Sequence, residues 1–311
     1  MATTKDIDRV VRTFIDPTVH DNVFNATPWL NRLKSKAKKR SSMGTYEEYV
    51  LESGEGQAGE YNDLQMIDSQ RVEILSKAQF YMKQYYCQLT VSWKDMLTCR
   101  GPEDVVGLLN VKSKNSQKTL AKKLTTDSIT GSTTGKVVGL QSLIYAGASN
   151  TVGGINSATD TNWANQYQSV GGTLTIPDII NFALQCSDGN DVPTVLLTDK
   201  FILGYIWGNL LQQQERYDGE YNMAKDLPAV AGFPIMWDAV LQASASTTGG
   251  YLYYINENYL GWDVHSADNM KAWPYAKADN QFAFKKQWTI SLIQRVTNRK
   301  RQGVQYGITT S

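Results

Sequence analysis

The chain has 311 residues, enough to bury one large hydrophobic core or two modest ones without disulfides or metals as staples. Its 31 basic and 30 acidic residues leave a net charge of +1, which argues against a dedicated nucleic-acid-binding protein, because such proteins carry an excess of Lys and Arg. No run of about 18 apolar residues marks a membrane span, and the three scattered cysteines fit buried thiols better than a disulfide framework.

The first 45 residues are predicted to form an arm with short helical pieces. Residues 1–12 alternate polar and charged side chains and lack the apolar core of a signal peptide, so we expect the protein to stay where it is made. Pro28 follows Asn25-Ala26-Thr27, a pattern typical of a helix start. A basic run at residues 34–40 is most simply explained as a solvated face.

Residues 46–92 predict a long two-stranded hairpin. Aromatic and β-branched residues concentrate in 79–93, as strands prefer. The tip, residues 53–60, is glycine-rich and acidic. A hairpin this long would leave its apolar faces wet in a monomer, so we expect it to lie across a neighbouring subunit.

Residues 102–128 predict the clearest helix, with Pro102 at its first position and carboxylates at Glu103 and Asp104 to match the helix dipole. It would be roughly 40 Å long. Apolar residues near both ends and lysines between them predict a helix that is buried at its ends and wet in its middle.

A glycine-rich signature at residues 139–163 follows, and its glycines indicate tight turns. Residues 173–250 are typical of a compact α/β unit, with helices at 176–184 and 201–214 and strands at 192–198 and 232–238. Alternating apolar and polar residues at 251–264 and 282–297 predict half-buried strands.

Catalytic chemistry is weakly represented. Gly131 to Lys136 invites a phosphate-loop interpretation, but the spacing between the glycines is one residue short and the setting is helix then strand. His20 and His265 are the only histidines, and two isolated histidines do not define a Ser-His-Asp or Cys-His arrangement. We therefore expect no catalytic residues, cofactor or metal.

Several short sequence motifs, taken in their order along the chain, resemble those of the major capsid proteins of tailed bacteriophages. They are Phe24-x-x-x-Pro28-Trp29-Leu30, Val91-Ser92-Trp93-Lys94-Asp95, Thr151-Val152-Gly153-Gly154-Ile155 with Trp163, and Gly232-Phe233-Pro234-Ile235 ahead of Trp237-Asp238. The resemblance covers nearly the whole chain. It implies an α+β chain with the Hong-Kong-ninety-seven-like capsid fold.

The resemblance also implies a division of the chain into named parts. They are an N-terminal arm (1–45), an E-loop hairpin (46–92), a peripheral domain (93–172) with a spine helix (about 102–128), an axial domain (173–250) and return strands of the peripheral domain (251–311).

The function that the resemblance implies is self-assembly into hexamers and pentamers of an icosahedral shell around double-stranded DNA. Its partners would be further copies of itself, a separate scaffolding protein, a portal and decoration proteins, without a membrane. The protein would be assembled in the host cytoplasm and reside in the virion.

Two sets of site residues follow from the resemblance. Inter-subunit contacts of the E-loop are expected at Glu55, Gln57, Glu60 and Tyr61. Non-specific contacts with packaged DNA are expected at Lys36, Lys38, Lys39, Arg40, Lys112, Lys114 and Lys118. Some relatives join an E-loop lysine covalently to a neighbour, but residues 53–70 contain no lysine, and the nearest is Lys77. We expect no such crosslink.

Three rival interpretations stay open. An encapsulin-like nanocompartment shares the fold and encloses enzymes instead of a genome. A carbohydrate-binding or hydrolytic domain would use the aromatic residues together with Glu215, Asp218 and Glu220. A tail or baseplate component is disfavoured by the long helix between a hairpin and an α/β unit.

Overall fold

A computed structural model describes residues 28–36, 38–40, 44–52, 54, 56–63, 74–99, 102–132, 135–210, 229–230, 232–242, 249–279 and 281–309. The predictions for Glu55 and for the acidic trio at Glu215, Asp218 and Glu220 fall outside these ranges, as does His20.

The described chain contains both helices and strands. The helices are α1 (Pro28–Ser35), α2 (Trp93–Thr98), α3 (Pro102–Thr130), α4 (Leu140–Leu143), α5 (Ile176–Gln185), α6 (Lys200–Tyr205) and α7 (Ala239–Gln242), with a π-helical segment (Ile206–Leu210) directly after α6. No helix among the described residues is both long and apolar enough to cross a membrane.

Among the described residues, the strands form two six-stranded sheets and two hairpins. They are β1 (Lys38–Arg40), β2 (Tyr46–Glu52), β3 (Leu75–Tyr81), β4 (Lys83–Ser92), β5 (Thr151–Val152), β6 (Ile155–Asn156), β7 (Gln166–Thr173), β8 (Val195–Thr198), β9 (Ala229–Val230), β10 (Phe233–Trp237), β11 (Gly250–Ile255), β12 (Leu260–His265), β13 (Lys271–Ala272), β14 (Ala276–Lys277), β15 (Ala283–Val296) and β16 (Gly303–Thr309).

The first sheet is built around β15, a strand of 14 residues. β4 pairs antiparallel with β15 along one side, and β12, β13 and β14 pair antiparallel with it along the other. β1 extends this sheet by pairing parallel to β12. The second sheet has the order β7-β16-β11-β8-β10-β9 and mixes parallel and antiparallel pairs.

The predicted hairpin over 46–92 is wrong in its second half. β2 and β3 form a two-stranded hairpin from the Tyr46–Tyr81 pair to the Glu52–Leu75 pair. β4 follows β3 after one residue but belongs to the first sheet, where it pairs with β15. The hairpin's inner face is not wet either, because Leu51, Ala78 and Phe80 are buried in the main hydrophobic core.

α3 confirms the predicted helix and extends two residues beyond it, to Thr130. Its middle is not wet all round, which corrects the sequence prediction. Ser113 and Gln117 are buried there, and the Gln117 amide donates to Ser113 Oγ at 3.1 Å. The buried stripe therefore continues along the middle of the helix through polar residues whose side chains hydrogen-bond to each other.

α5 also confirms its prediction. Thr175 and Asp178 form a capping box, in which Thr175 Oγ1 accepts from the Asp178 amide and the Asp178 carboxylate accepts from the Thr175 amide. The second predicted helix, 201–214, is a short α6 continued by a π-helical segment to Leu210, and residues 211–214 lie outside the described ranges.

The strands at 251–264 and 282–297 exist. The first part of β15, up to Thr289, alternates between buried and half-buried residues as predicted, whereas β11, β12 and the rest of β15 are buried almost throughout, which the prediction missed. Two hydrophobic cores explain the difference. Along β11, Tyr253 and Ile255 lie in the larger core, whereas Leu252 and Tyr254 lie in the smaller one beside α5 and α6. β11, in the interior of the second sheet, is thus covered on both faces.

Candidate assembly surfaces

The hairpin is fixed to the first sheet by a polar cluster at Tyr49. The Tyr49 hydroxyl lies 2.6 Å from a Glu47 carboxylate oxygen and contacts Asp263, a fully buried acid of β12. Arg295 Nε donates to the same Asp263 oxygen at 2.8 Å, and its guanidinium lies 4.9 Å from the centre of the Tyr49 ring. Burial and then the hydrogen bond with Asp263 raise the pKa of Tyr49 well above its usual range, so the phenol stays protonated.

The Val-Gly-Gly-Ile turn of the sequence signature holds the hairpin from a second side. It joins β5 to β6, with Gly153 at φ 62° and Gly154 at φ 85°. The Gly153 carbonyl accepts from the Gln79 amide of β3 at 2.9 Å, and a Cβ built on Gly153 would lie 2.9 Å from Ala78 Cβ. Gly153 is therefore required both for the turn and for the close approach of β3.

Arg299 organises the rest of the signature from the chain's C-terminal part. Its fully buried guanidinium donates from Nε to the Leu143 carbonyl at 2.9 Å, from Nη1 to the Trp163 carbonyl at 3.0 Å, and from Nη2 to Asn165 Oδ1 at 2.8 Å. The Trp163 indole in turn donates to the Val152 carbonyl at 3.0 Å. Burial lowers the pKa of Arg299 to about 10. Sequence reasoning missed Arg299, which stands in a charged Asn-Arg-Lys-Arg run that is typical of a surface.

The outer face of the hairpin is exposed and partly apolar. The rings of Tyr46 and Tyr81 lie 5.8 Å apart across the two strands. Val50 and Leu75 on the same face are 62% and 69% exposed. Charged residues share this face, among them Glu48 and Lys77, which pair at 3.3 Å.

The predicted E-loop contacts lie beyond β2 in the chain. Gln57, Glu60 and Tyr61 are exposed, and Tyr61 is 61% accessible. Glu55 lies outside the described residues. Their role in contacts between subunits stays a prediction.

The predicted lysines of α3 do not share one face. At about 100° per residue, Lys112 and Lys114 point about 200° apart around the helix. Lys112 Nζ forms an ion pair with Asp95 of α2 at 2.8 Å, which ties the two helices together. Lys114 and Lys118 are exposed and share a face with Lys122, which is exposed too.

The second predicted basic group lies at the edge of the first sheet. Lys36, Lys38 and Lys39 are exposed, and the side chain of Arg40 lies outside the described residues. The backbone of Lys38–Arg40 pairs with β12 opposite Asp263, Val264 and His265.

Polar groups that resemble catalytic ones have structural partners. His265 ends β12, and its Nδ1 accepts from the Ala267 amide at 3.1 Å. Asp268 accepts from the hydroxyls of Thr289 and Ser291. These residues line a cavity of about 530 Å³ together with Tyr86. Within the described ranges, no group of three His, Cys, Asp or Glu residues is placed to hold a metal ion.

No protein-family model and no curated protein matches the chain. Solved structures do match it over almost its whole length. The capsid asymmetric unit of cyanophage A-1(L) is similar at TM-score 0.63 and 16% identity, covering 91% of this chain and 93% of that chain.

Two further shells match at comparable levels. The capsid of the native GTA particle has TM-score 0.62 and 8% identity, with coverage of 89% and 90%. The holo-SrpI encapsulin complex from Synechococcus elongatus PCC 7942 has TM-score 0.60 and 9% identity, with coverage of 92% and 90%. Identities this low establish the fold alone, and the chain has the Hong-Kong-ninety-seven-like α+β fold that the resemblance predicted.

Proposed function

We propose that this chain is the major capsid protein of a tailed bacteriophage and builds an icosahedral shell of hexamers and pentamers around double-stranded DNA. The observation that carries the proposal is the end-to-end match of the fold to the cyanophage capsid, which spans 91% of this chain. A shell role also agrees with a chain whose polar clusters at Tyr49 and Arg299 serve packing. The protein acts by assembly and has no catalytic role.

The named parts of the fold follow under the same proposal. Residues 46–92 supply the E-loop hairpin, α3 is the spine helix of the peripheral domain (93–172), and residues 173–250, with α5 and α6, form the axial domain. Residues 1–45 are the arm, and 251–311 return to the peripheral domain. Gln57, Glu60 and Tyr61 contact a neighbouring subunit, together with Glu55.

The proposed capsid function implies further partners. A separate scaffolding protein guides assembly in the host cytoplasm, and a portal and decoration proteins complete the virion. Lys114 and Lys118, with the basic residues of 36–40, face the packaged DNA, and the contact is non-specific and weakened by salt. Lys112 contributes less, because Asp95 already neutralises it.

An encapsulin-like nanocompartment is the second candidate, favoured by the match to the Synechococcus elongatus shell at TM-score 0.60. The two candidates differ in content. A capsid protects DNA, whereas a nanocompartment retains a co-purifying enzyme.

Electron microscopy of the purified recombinant chain, with analytical ultracentrifugation, tests the proposal. Closed polyhedral shells, tubes or stable hexamers and pentamers are expected, with added scaffold where required. A strictly monomeric particle at every concentration and salt would overturn it. Nuclease-protected DNA in particles from infected cells, against a protein cargo, decides between the two candidates.

Denaturing gels of mature particles test the absence of covalent crosslinks. The Ser53–Gln70 segment lacks lysine, and Lys77 lies on β3, where its amine pairs with Glu48 at 3.3 Å. A single band near 34.8 kDa is expected. A ladder of high-mass bands would contradict this.

A further inference from the structure

The cavity of about 530 Å³ opens on the face of the first sheet that points away from the main hydrophobic core. Thr289 of β15 pairs with Tyr86 of β4 on one side and with Lys271 of β13 on the other. Ser291, two residues further along β15, pairs with Gln84. Paired residues of neighbouring strands point to the same face, so these five side chains border one space. Its volume lies within the range of small-molecule sites, about 300–1,000 Å³.

The floor of the cavity holds a carboxylate in a fixed orientation. The Thr289 and Ser291 hydroxyls donate to the two carboxylate oxygens of Asp268, one to each. Ser291 is 2% exposed, and the Trp273 indole donates to Thr289 Oγ1 at 3.1 Å. Each Asp268 oxygen keeps a further lone pair, because a carboxylate oxygen can accept two hydrogen bonds. Asp268 is therefore oriented to accept hydrogen bonds from a ligand before the ligand arrives.

The chain that leads into β13 is strained where it passes the cavity. Met270 lies between Asp268 and Lys271, and among the described residues it is the one non-glycine residue with a positive φ, at 52°. This conformation costs energy for any residue with a Cβ. Strain of this kind is retained where it places functional groups, and here it sets the position of an acid and a base that both line the cavity.

Hydrogen-bond donors stand beside the acid. His265 lines the cavity, and its Nδ1 accepts from the Ala267 amide at 3.1 Å, so the neutral ring carries its proton on Nε2. Gln84 offers both an amide donor and a carbonyl acceptor. The cavity therefore presents donors and acceptors together, and a purely apolar ligand would leave them unpaired.

The charge and the walls of the cavity narrow the ligand further. Asp268 and Lys271 are the charged side chains among the described residues that line it, and their charges cancel, which selects neither an anion nor a cation. Two aromatic rings rise beside the polar floor, Tyr86 at 70% exposure and Trp273 at 45%. Lys271 Nζ lies 4.5 Å from the centre of the Trp273 ring and covers one of its faces. The Tyr86 ring is the larger open apolar surface.

We propose that this cavity binds a neutral saccharide. The C–H face of a sugar ring stacks on Tyr86, sugar hydroxyls donate to Asp268, and Gln84 and His265 pair with the remaining hydroxyls. The site binds without cleaving, because glycoside hydrolysis uses two carboxylates and Asp268 is the one carboxylate among the described lining residues. This binding function goes beyond the proposed shell function and does not depend on it.

A panel of neutral sugars tests the proposal on the purified full chain. The probes are the methyl glycosides of glucose, galactose, mannose and N-acetylglucosamine, together with maltose, cellobiose and lactose. Saturation-transfer NMR identifies binders, and calorimetry measures their affinity. At least one probe is expected to bind with a dissociation constant on the order of a millimolar or tighter. Its ring C–H protons should receive the strongest saturation, because they contact Tyr86.

Variants locate the binding in the cavity. Tyr86→Ala is expected to weaken binding about tenfold or more, whereas Tyr86→Phe keeps the ring and should bind within about twofold of the wild type. Asp268→Asn keeps the size of the side chain but loses a charged acceptor, and about a tenfold loss is expected. Tyr167→Ala is the matched control, because Tyr167 is an exposed tyrosine of β7 outside the cavity, and it should bind like the wild type. Far-UV circular dichroism confirms that each variant is folded.

Each contrary outcome has a definite meaning. A chain that binds none of the sugars overturns the proposal, and so does sugar binding that survives both Tyr86→Ala and Asp268→Asn. N-acetyl-arginine amide and inorganic phosphate are titrated as charged probes. If either binds in the cavity more tightly than every sugar, the ligand is not a neutral saccharide. A chain that binds sugar through Tyr86 but never assembles would overturn the shell function alone.

Discussion

Arg299 and the lysines at 114, 118 and 122 carry the same charge in opposite environments. Arg299 is buried, and carbonyl oxygens of the main chain and amide side chains take up its donors. The three lysines are exposed on one face of α3. The comparison shows that the Arg299 charge is used within the fold, whereas the charges of these three lysines face solvent. Variants of Arg299 and of the three lysines test this contrast, and variants of Gly153 and Tyr49 extend it to other contacts that hold the fold together.

Arg299→Leu is expected to have the largest effect. It leaves several buried acceptors unsatisfied, which lowers the free energy of unfolding by about 3 kcal/mol or more. Chemical denaturation, followed by tryptophan fluorescence, measures the change. Arg301→Leu is the matched control, because Arg301 pairs with an Asp188 that is 70% exposed, and it should cost less than about 1 kcal/mol. If both variants lose the same free energy of unfolding, Arg299 is no more important for stability than Arg301.

Gly153→Ala is expected to lower the free energy of unfolding by about 2 kcal/mol, from the left-handed backbone and from the contact with Ala78. Gly154→Ala shares the positive φ but meets no atom within 4 Å of the added Cβ, so about 1 kcal/mol is expected.

A double-mutant cycle with Ala78→Gly isolates the steric part of the Gly153 effect. The double variant should recover part of the stability lost by Gly153→Ala. If the two free-energy changes are additive, contact with Ala78 is not the reason that Gly153→Ala destabilises the protein.

Tyr49→Phe removes the hydroxyl that links the hairpin to Asp263, and a loss of about 1.5 kcal/mol is expected for a bond to a charged group. Amide hydrogen exchange of β2 and β3 should accelerate with it. Tyr46→Phe, on the exposed face, is the control and should leave both stability and exchange unchanged. Faster exchange in Tyr46→Phe alone would reverse the assignment of the two faces.

The triple change of Lys114, Lys118 and Lys122 to Gln is expected to have the smallest effect on stability, within about 0.5 kcal/mol. Its effect should appear in DNA binding, where the dependence of log K on log salt should become shallower by up to about 3. A charge-matched control changes Lys271, Lys277 and Lys285 of the first sheet to Gln. If the control variant loses as much salt dependence, the lysine face of α3 is not the DNA-binding surface.

The sequence predicted those elements whose signals are local. α3 and α5 have a proline or a capping box at their start and apolar residues at helical spacing, so their positions needed no tertiary information. The hairpin was overextended because β3 and β4 are both strands, separated by Met82 alone, and their alternation does not reveal that they join different sheets.

Burial and the polar clusters required tertiary contacts. The polar residues of β12 and β15 predicted a solvent-exposed face, but Asp263, Gln294 and Arg295 are buried. Arg295 donates to Asp263, and Gln294 accepts from the Trp262 indole, so these polar groups are paired across the two strands. Arg299 was missed for the same reason. Its partners lie more than 130 residues earlier in the chain, and only folding brings them to it.

The position of β16 between β7 and β11 has a consequence for the order of events during translation. β7 emerges early, but its partner over Gly303–Thr309 is synthesised long after it. At 5–20 residues per second, β7 waits on the order of ten seconds for that partner. The rate of translation therefore sets when the second sheet can form completely, because β7 lacks its partner strand until residues 303–309 have been synthesised.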